Sequence, residues 1–339
     1  MAARIVCFGE LLLRLSAPGR QLLLQSPQLD VHVGGAEANV AVALARWGHA
    51  VRFASVVADN PLGGAALGEL RRHGVDTARV LRAPGRMGLY FLSPGAVHRA
   101  SEVVYDRARS AFAEAAADAI DWDAALEGAD HFHLSGVTPA LGPASAEAAL
   151  RAARAARAAG LTVSFDGNYR GRLWQAWQGD APALLRQLMA EADIAFADHR
   201  DFALVLGRSF DAEDPERRFA EAADAAFAAF PNLRRIACTR RDVHSVDHHA
   251  LCARMAVRDG ARHATPGYTV AGIVDRIGGG DAFAAGVLHG LRSGMDDDAA
   301  LRFGLASGVL KHSLPGDFML LDASDIAAFV ATGQFDVRR

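Results

Sequence analysis

The chain of 339 residues contains a single lysine, Lys311, so almost every other positive side chain is an arginine. A Walker-type phosphate loop requires a lysine within a glycine-rich motif, and a protein-kinase fold requires a lysine on a strand. Neither pattern occurs, because Lys311 stands in the segment Leu310-Lys-His-Ser-Leu-Pro. Both classes are therefore excluded, and Schiff-base chemistry has one candidate residue.

Cysteines and long apolar runs are also scarce. The three cysteines, Cys7, Cys238 and Cys252, are odd in number and far apart, which argues against a disulfide framework or a cysteine metal site. Apolar stretches end well before the ~20 residues of a membrane span. The net charge of -3 comes without a basic block that could neutralise a row of phosphates. We expect a soluble cytoplasmic protein with no membrane or nucleic-acid partner.

Apolar strand-like runs alternate with alanine-rich helical segments, which is typical of βαβ units. The alternation predicts one α/β domain over residues 1–339 with a mostly parallel sheet. The predicted strands are residues 4–8, 51–57, 130–134, 161–165, 192–197 and 235–239. The predicted helices are residues 36–47, 62–73, 143–159, 214–230, 281–292 and 296–312.

Two segments, at about residues 11–33 and 87–108, depart from this rhythm. They contain short runs of alternating polar and apolar residues, such as Gly88-Leu-Tyr-Phe-Leu92, which indicate antiparallel strands. In an otherwise parallel fold, such strands could form a small sheet that covers a pocket.

The strongest local motif is the run Gly278-Gly279-Gly280-Asp281 directly before a predicted helix. Glycine amides at a helix N-terminus form an anion site, which the helix dipole strengthens. A carboxylate beside such a site would repel the anion, unless it serves as the base that takes a proton from an attacking hydroxyl. Asp281 could equally be the residue that caps the helix N-terminus, with no role as a base.

A second motif, Gly34-Gly35-Ala-Glu-Ala-Asn39, again places two glycines before a helix. The Asn39 amide offers both a donor and an acceptor, which suits sugar hydroxyls. Alone the motif is weak, because glycine pairs are common in turns.

Together the two motifs resemble the paired signatures of the PfkB or ribokinase-like carbohydrate kinases, whose D-x-x-G-x-G-D-x-F pattern matches residues 275–283. The resemblance covers nearly the whole chain and is greatest to 2-keto-3-deoxygluconate kinases, through the segments at residues 34–41, 133–141, 164–170 and 310–318. It implies a ribokinase-like fold, with a central sheet flanked by helices and a small β lid.

The resemblance implies ATP-dependent phosphorylation of 2-keto-3-deoxygluconate at its C6 hydroxyl, with Mg²⁺. Asp281 would be the base, Gly278, Gly279 and Gly280 would hold phosphates, and the adenosine would lie near Thr239. The residues implied at the sugar acid are Gly34, Gly35, Asn39, Tyr90, Tyr105, Arg107, Arg170 and Asp317.

Arginine suits this substrate because a guanidinium grips a carboxylate through two hydrogen bonds. Arg107 and Arg170 could instead be ordinary surface arginines. The alternatives for the whole chain are a fructokinase, a ribokinase or another sugar-acid kinase, or a non-catalytic sugar or nucleotide sensor.

The chain departs from the family pattern in two places. The family's N-x-x-E element is replaced by Asp198-His-Arg-Asp201, whose carboxylates could still hold Mg²⁺ through water. The glycine that often follows the residue at Thr239 is replaced by Arg240 and Arg241. Either arginine could pair with phosphate, or both could face solvent, and the sequence favours neither alternative. A monovalent-cation requirement stays open, and we expect a homo-oligomer.

Overall fold

The computed structural model describes residues 4–333. Its strands are β1 (Arg4–Phe8), β2 (Leu12–Ser16), β3 (Asp30–Gly34), β4 (Ala50–Ala58), β5 (Val80–Ala83), β6 (Gly88–Ser93), β7 (Glu102–Asp106), β8 (Ala129–Ser135), β9 (Thr162–Asp166), β10 (Ile194–Phe196), β11 (Arg235–Ser245), β12 (His248–Val257), β13 (Arg262–Ala264) and β14 (Tyr268–Ala271). Its α-helices are α1 (Ala36–Arg46), α2 (Pro61–Arg72), α3 (Trp122–Leu126), α4 (Pro143–Ala158), α5 (Gly171–Gln175), α6 (Ala181–Glu191), α7 (His199–Leu206), α8 (Pro215–Ala229), α9 (Gly279–Arg292), α10 (Asp297–Lys311) and α11 (Ala323–Thr332).

The central sheet has the strand order β13-β12-β11-β10-β9-β8-β1-β4-β5, with β14 paired to β12. Every neighbouring pair from β5 to β11 is parallel, whereas β12 pairs antiparallel with β11, β13 and β14. The predicted mostly parallel sheet is confirmed. The prediction ended β11 at residue 239, whereas the strand continues to Ser245 because it pairs along its length with β12.

Helices cover both faces of this sheet. Alternate side chains of β1 enter opposite layers. Ile5 and Cys7 belong to the buried cluster that includes α1, α9 and α10, whereas Val6 and Phe8 belong to the one that includes α4, α6 and α8. Parallel strands buried on both faces have continuous apolar sequences, which explains the apolar runs. None of the helices within residues 4–333 is long and apolar enough to cross a membrane.

A separate four-stranded sheet, here called the small sheet, has the order β3-β2-β6-β7. The pairs β2–β3 and β6–β7 are antiparallel, and β2 joins β6 in parallel. The sheet therefore arises from the two segments that depart from the βα rhythm. Its buried residues Leu12, Tyr90 and Leu92 pack against Ile277, which directly precedes the glycines of the strongest motif.

Candidate active site

A cavity of about 900 Å³ opens where the parallel strands of the central sheet end. Asp166 and Phe196, at the carboxyl ends of β9 and β10, line one side of it, and Tyr90 and Tyr105 of the small sheet line another. Open α/β sheets bind their ligands at this edge. The N-terminal ends of α1 and α9 complete the wall with both glycine motifs.

Gly278, Gly279, Gly280 and Asp281, here called the glycine loop, begin α9 at the cavity wall. Gly278 has a φ of +79°, and a Cβ there would lie 2.1 Å from the Asp317 carbonyl oxygen, so only glycine fits without rearrangement. A Cβ on Gly280 would meet nothing within 4 Å. Because the first amides of a helix lack intrahelical acceptors and lie at its positive end, the loop can bind an anion.

Asp281 lies in the first turn of α9, and the N-cap of this helix is Gly278, with no side-chain cap hydrogen bond. The alternative of a capping aspartate is therefore wrong, because the helix starts two residues earlier than predicted. Oδ2 of Asp281 accepts a hydrogen bond of 2.6 Å from Nδ2 of Asn39. No ion pair involves Asp281 within the described part of the chain.

Burial raises the pKa of Asp281 to about 7. The charges of Glu37 and Asp317 act in the same direction, whereas the Asn39 hydrogen bond and the charge of Arg170 oppose it. A carboxylate with a pKa near neutrality suits a general base, since it is available in its ionised form yet still takes up a proton.

The second motif reaches the cavity through Gly35 and Asn39. Gly35 precedes α1 with a φ of +144°, and a Cβ there would meet the Glu10 carbonyl oxygen at 2.2 Å. Gly34 does not line the cavity; a Cβ on it would lie 2.4 Å from Oδ2 of Asp317. Oδ1 of Asn39 is buried and accepts no hydrogen bond from residues 4–333.

The other predicted substrate residues, Tyr90, Tyr105, Arg107, Arg170 and Asp317, all line the cavity. Two of them are bonded to each other, because the Tyr90 hydroxyl donates to Oδ2 of Asp317 at 2.7 Å. These two side chains hold the small sheet against the segment after α10.

The two predicted carboxylate-binding arginines differ in their surroundings. Arg107 is buried, and its Nε donates to Oε2 of Glu10 at 2.7 Å. Arg170 is exposed at the N-terminus of α5, where its Nη1 donates to the Tyr169 carbonyl oxygen. The partner of Arg107 lies far away in sequence and was not predicted.

Thr239 lines the cavity beside three further arginines, Arg200, Arg241 and Arg276. The pKa of Arg241 is lowered by partial burial and by the charges of Arg276 and Arg200. Arg240, in contrast, pairs with Asp242 outside the cavity lining. Of the two arginines considered for phosphate binding, Arg241 is therefore the one that lines the cavity. Arg200 and Arg276 also line it, and neither was predicted.

Three further carboxylates line the cavity besides Asp281 and Asp317, namely those of Asp166, Asp198 and Asp201. Asp198 caps α7 and pairs with Arg200, and Asp201 accepts a hydrogen bond from the Asp198 amide in the same capping box. Burial, followed by the charges of Asp281 and Asp201, raises the pKa of Asp166 well above its usual range. Burial and the charge of Asp198 raise the pKa of Asp201 to about 6.

These carboxylates fit a divalent cation bound mainly through water and phosphate. Within residues 4–333, no three His, Cys, Asp or Glu side chains are close enough to hold a metal directly. Mg²⁺ typically keeps several waters and takes only one or two protein carboxylates, which Asp166 and Asp201 can supply. Asp166 was not predicted, although it lies inside the recognised segment at residues 164–170.

The sequence matches the description "pfkB family carbohydrate kinase" over residues 2–317. It is 32% identical to a 2-dehydro-3-deoxygalactonokinase of Haloferax volcanii over the full length of both chains. It is 28% identical to a 2-dehydro-3-deoxygluconokinase of Bacillus subtilis, covering 92% of this chain and 90% of that one. The crystal structure of a 2-dehydro-3-deoxygluconokinase from Thermotoga maritima superposes with a TM-score of 0.92, 38% identity and coverage of 97% and 99% of the two chains.

The fold and these relatives place the chain among the phosphotransferases that act on a hydroxyl group. The chain belongs to the pfkB family of carbohydrate kinases, whose match spans almost all of it. The predicted ribokinase-like fold and the predicted family are thereby confirmed.

Proposed function

We propose that this protein transfers the γ-phosphoryl group of ATP to the C6 hydroxyl of 2-keto-3-deoxygluconate, which is also named 2-dehydro-3-deoxygluconate. The product is 2-keto-3-deoxy-6-phosphogluconate. The observation that carries the proposal is the position of Asp281, a carboxylate that has no ion-pair partner among residues 4–333 and lies beside the free amides of a helix N-terminus. Burial raises its pKa to about 7. The names of the Bacillus and Thermotoga relatives support the choice of substrate.

Asp281 acts as the base in this mechanism. It takes the proton of the C6 hydroxyl as the oxygen forms its bond to phosphorus, and ADP leaves with the electrons of the broken phosphorus–oxygen bond. The amides of the glycine loop, together with the α9 dipole, stabilise the charge of the transferring group. Proton acceptance and charge stabilisation are thus assigned to neighbouring groups of one helix turn.

Arg241 and Arg276 would bind the remaining nucleotide phosphates, because both line the same cavity and the charge of Arg276 contributes to the lowered pKa of Arg241. Asp166 and Asp201 would hold Mg²⁺ through its water shell. The ion, when bound, neutralises charge on the nucleotide phosphates. The burial that raises the pKa of both carboxylates is offset when a cation binds nearby.

The sugar acid is held, in this proposal, at the end of the cavity lined by the small sheet. Arg170 and Arg107 would bind the carboxylate of the sugar acid. Oδ1 of Asn39, which accepts no hydrogen bond from residues 4–333, would accept one from a sugar hydroxyl. Tyr90 and Tyr105 contribute aromatic walls. The small sheet would then serve as a lid that excludes water from the reaction.

A second candidate substrate is 2-keto-3-deoxygalactonate, which differs in configuration at one carbon. The Haloferax relative, at 32% identity, is named for that substrate. Both acids share the carboxylate, the ketone and the terminal hydroxyl, so the charged side chains named above serve either one. The homo-oligomeric state and the cytoplasmic location stay predictions.

The test is a coupled ADP-release assay with both keto-deoxy acids, fructose, ribose and the neutral alcohol that corresponds to 2-keto-3-deoxygluconate. We expect kcat/KM to be highest for 2-keto-3-deoxygluconate and to drop by about 100-fold or more without the carboxylate, which corresponds to the loss of a charged bidentate contact. Preference for the galactonate epimer would select the second candidate. Preference for a neutral sugar would refute the sugar-acid assignment, and binding without any ADP release would favour a sensor.

A further inference from the structure

Glu37, in the first turn of α1, is a fully buried carboxylate that no step of the proposed reaction uses. Its Oε1 accepts three hydrogen bonds, from the Ser135 amide at 2.9 Å, the Ser135 hydroxyl at 2.8 Å and the Thr138 hydroxyl at 2.8 Å. None of the ion pairs among residues 4–333 includes Glu37. A buried carboxylate without a cation destabilises the fold unless hydrogen bonds compensate it. An apolar side chain would fill the same space at lower cost, so the three hydrogen bonds are the feature to explain.

These hydrogen bonds fix the start of α1 to the end of β8. Ser135 is the last residue of β8, and Thr138 lies in the turn that follows. A Cβ on Gly9 would lie 2.0 Å from Oε2 of Glu37, so the main chain after β1 also packs against this side chain. The N-cap of α1, Gly35, makes no side-chain cap hydrogen bond. Because helix ends without a capping side chain fray more easily, the contacts of Glu37 take over the task of holding the first turn.

Asn39 belongs to the same turn of α1 but points to the other side. Successive residues of an α-helix are rotated by about 100°, so two residues that are two positions apart point about 200° apart. Glu37 accordingly contacts β8, whereas Asn39 contacts α9, where its Nδ2 donates to Oδ2 of Asp281 at 2.6 Å. A movement of this turn away from β8 would therefore change the distance between Asn39 and Asp281.

We infer that Glu37 is a positioning residue for the base: its carboxylate fixes the first turn of α1 on β8 and thereby holds the Asn39 amide on Asp281. The inference rests on the proposed function in one respect, namely that Asp281 is the base. Glu37 does not line the cavity, so it acts through Asn39 and not on a ligand. A fully bonded buried polar group selects one arrangement of the elements that it joins.

The charge of Glu37 has a separate effect on Asp281, which the test must exclude. This charge raises the pKa of Asp281, whereas the hydrogen bond from Asn39 lowers it. The other charged groups that act on Asp281 are Arg170 before α5, Asp317 after α10 and Asp166 of β9. A single substitution of Glu37 changes both its position-holding contacts and its charge. The informative quantity is therefore the shift that Asn39→Ala causes in each background, because the charge of Glu37 is then the same in both members of a pair.

The experiment is an NMR titration of the Asp281 carboxyl carbon without nucleotide, metal or sugar, with the signal assigned through Asp281→Asn. In the wild-type background, Asn39→Ala should raise the titration midpoint by about one pH unit. In the Glu37→Ala background, the same substitution should raise it by less than about 0.3 unit, because the Asn39 amide is no longer held on Asp281. A full shift of about one unit in Glu37→Ala would overturn the inference.

Two further backgrounds separate positioning from charge and from general loosening. Glu37→Gln keeps an oxygen that can accept from Ser135 and Thr138 but lacks the charge, so the shift caused by Asn39→Ala should remain about one unit. Asp193→Ala is the matched control, because Asp193 is also buried and accepts from the Val163 amide at 2.8 Å, outside the cavity lining. It should leave the shift unchanged. Loss of the shift in Glu37→Gln or in Asp193→Ala would contradict the inference.

Thermal melting identifies any variant that does not fold. If Glu37→Ala does not fold, Ser135→Ala combined with Thr138→Val replaces it, because this pair removes both hydroxyl donors and keeps the carboxylate. The shift caused by Asn39→Ala should then fall to about half a unit or less, and an unchanged shift would overturn the inference. The titration needs no turnover, so a failure of the proposed kinase reaction leaves its result readable. In the active enzyme, the pH dependence of kcat/KM should show the same shifts.

Discussion

Asn39 controls, through one hydrogen bond, the pH range in which Asp281 can accept a proton. This bond of 2.6 Å opposes the burial that raises the pKa of Asp281 to about 7. A hydrogen bond to a charged group contributes about 1.5–3 kcal/mol, and one pKa unit corresponds to about 1.4 kcal/mol. Water can replace part of the lost bond. We therefore expect Asn39→Ala to raise the pKa of Asp281 by about one unit.

The assay is the pH dependence of kcat/KM, which reports the groups of the free enzyme. A base must be ionised to act, so wild-type activity should rise with pH and level off above about 7. In Asn39→Ala the same rise should occur about one unit higher. Tyr105→Phe, a change in the same cavity, is the control and should leave the rise in place. A rise in Asn39→Ala at the wild-type pH, or at lower pH, would refute the assigned coupling.

Three further predictions concern stability and binding. Asp281→Asn should increase the free energy of unfolding relative to wild type, by an amount that grows between about pH 4 and 7. The reason is that a carboxyl whose pKa rises on folding to about 7 destabilises the folded state once it is ionised. Equal shifts of the melting temperature at pH 4 and pH 8 would contradict this. Gly278→Ala should lower MgADP affinity and cost about 1–3 kcal/mol of unfolding free energy, whereas Gly68→Ala on open helix surface should be neutral or stabilising. Arg107→Ala should lower the free energy of unfolding, measured by chemical denaturation, by about 3–5 kcal/mol because it leaves the buried Glu10 carboxylate without its ion-pair partner. Arg170→Ala, at an exposed position, should leave the free energy of unfolding unchanged and raise only the KM for the sugar acid. Equal stabilities of these two arginine variants would be the contrary result.

Local signals carried most of what the sequence predicted correctly. The backbone angles of Gly35 and Gly278 are ones that other residues rarely adopt, and both glycines stand next to a helix start. The apolar runs of the parallel strands follow from burial on both faces of the sheet. Fold class, the approximate helix starts and the glycine loop could therefore be predicted before the tertiary structure, although the start of α9 was misplaced by two residues.

Long-range pairing accounts for what could not be predicted. The parallel pairing of β2 with β6 joins two segments that are distant in sequence. The Arg107–Glu10 ion pair could be predicted only if this strand pairing were already known. Arg240 and Arg241 have the same local sequence context, and strand register alone sends their side chains in opposite directions. Tertiary packing determines which residues a charged side chain contacts. A sequence motif therefore indicates that the side chain has a functional role, but it does not identify its partners.

The most direct test of the account is the turnover of Asp281→Asn with ATP, Mg²⁺ and 2-keto-3-deoxygluconate. The substitution keeps the shape of the side chain and an oxygen that can accept from Asn39, so MgADP affinity should remain close to that of the wild type. Loss of the base should lower kcat by about 100-fold to 10,000-fold. A folded Asp281→Asn protein with kcat within a few fold of the wild type would contradict the claim that this carboxylate accepts the hydroxyl proton.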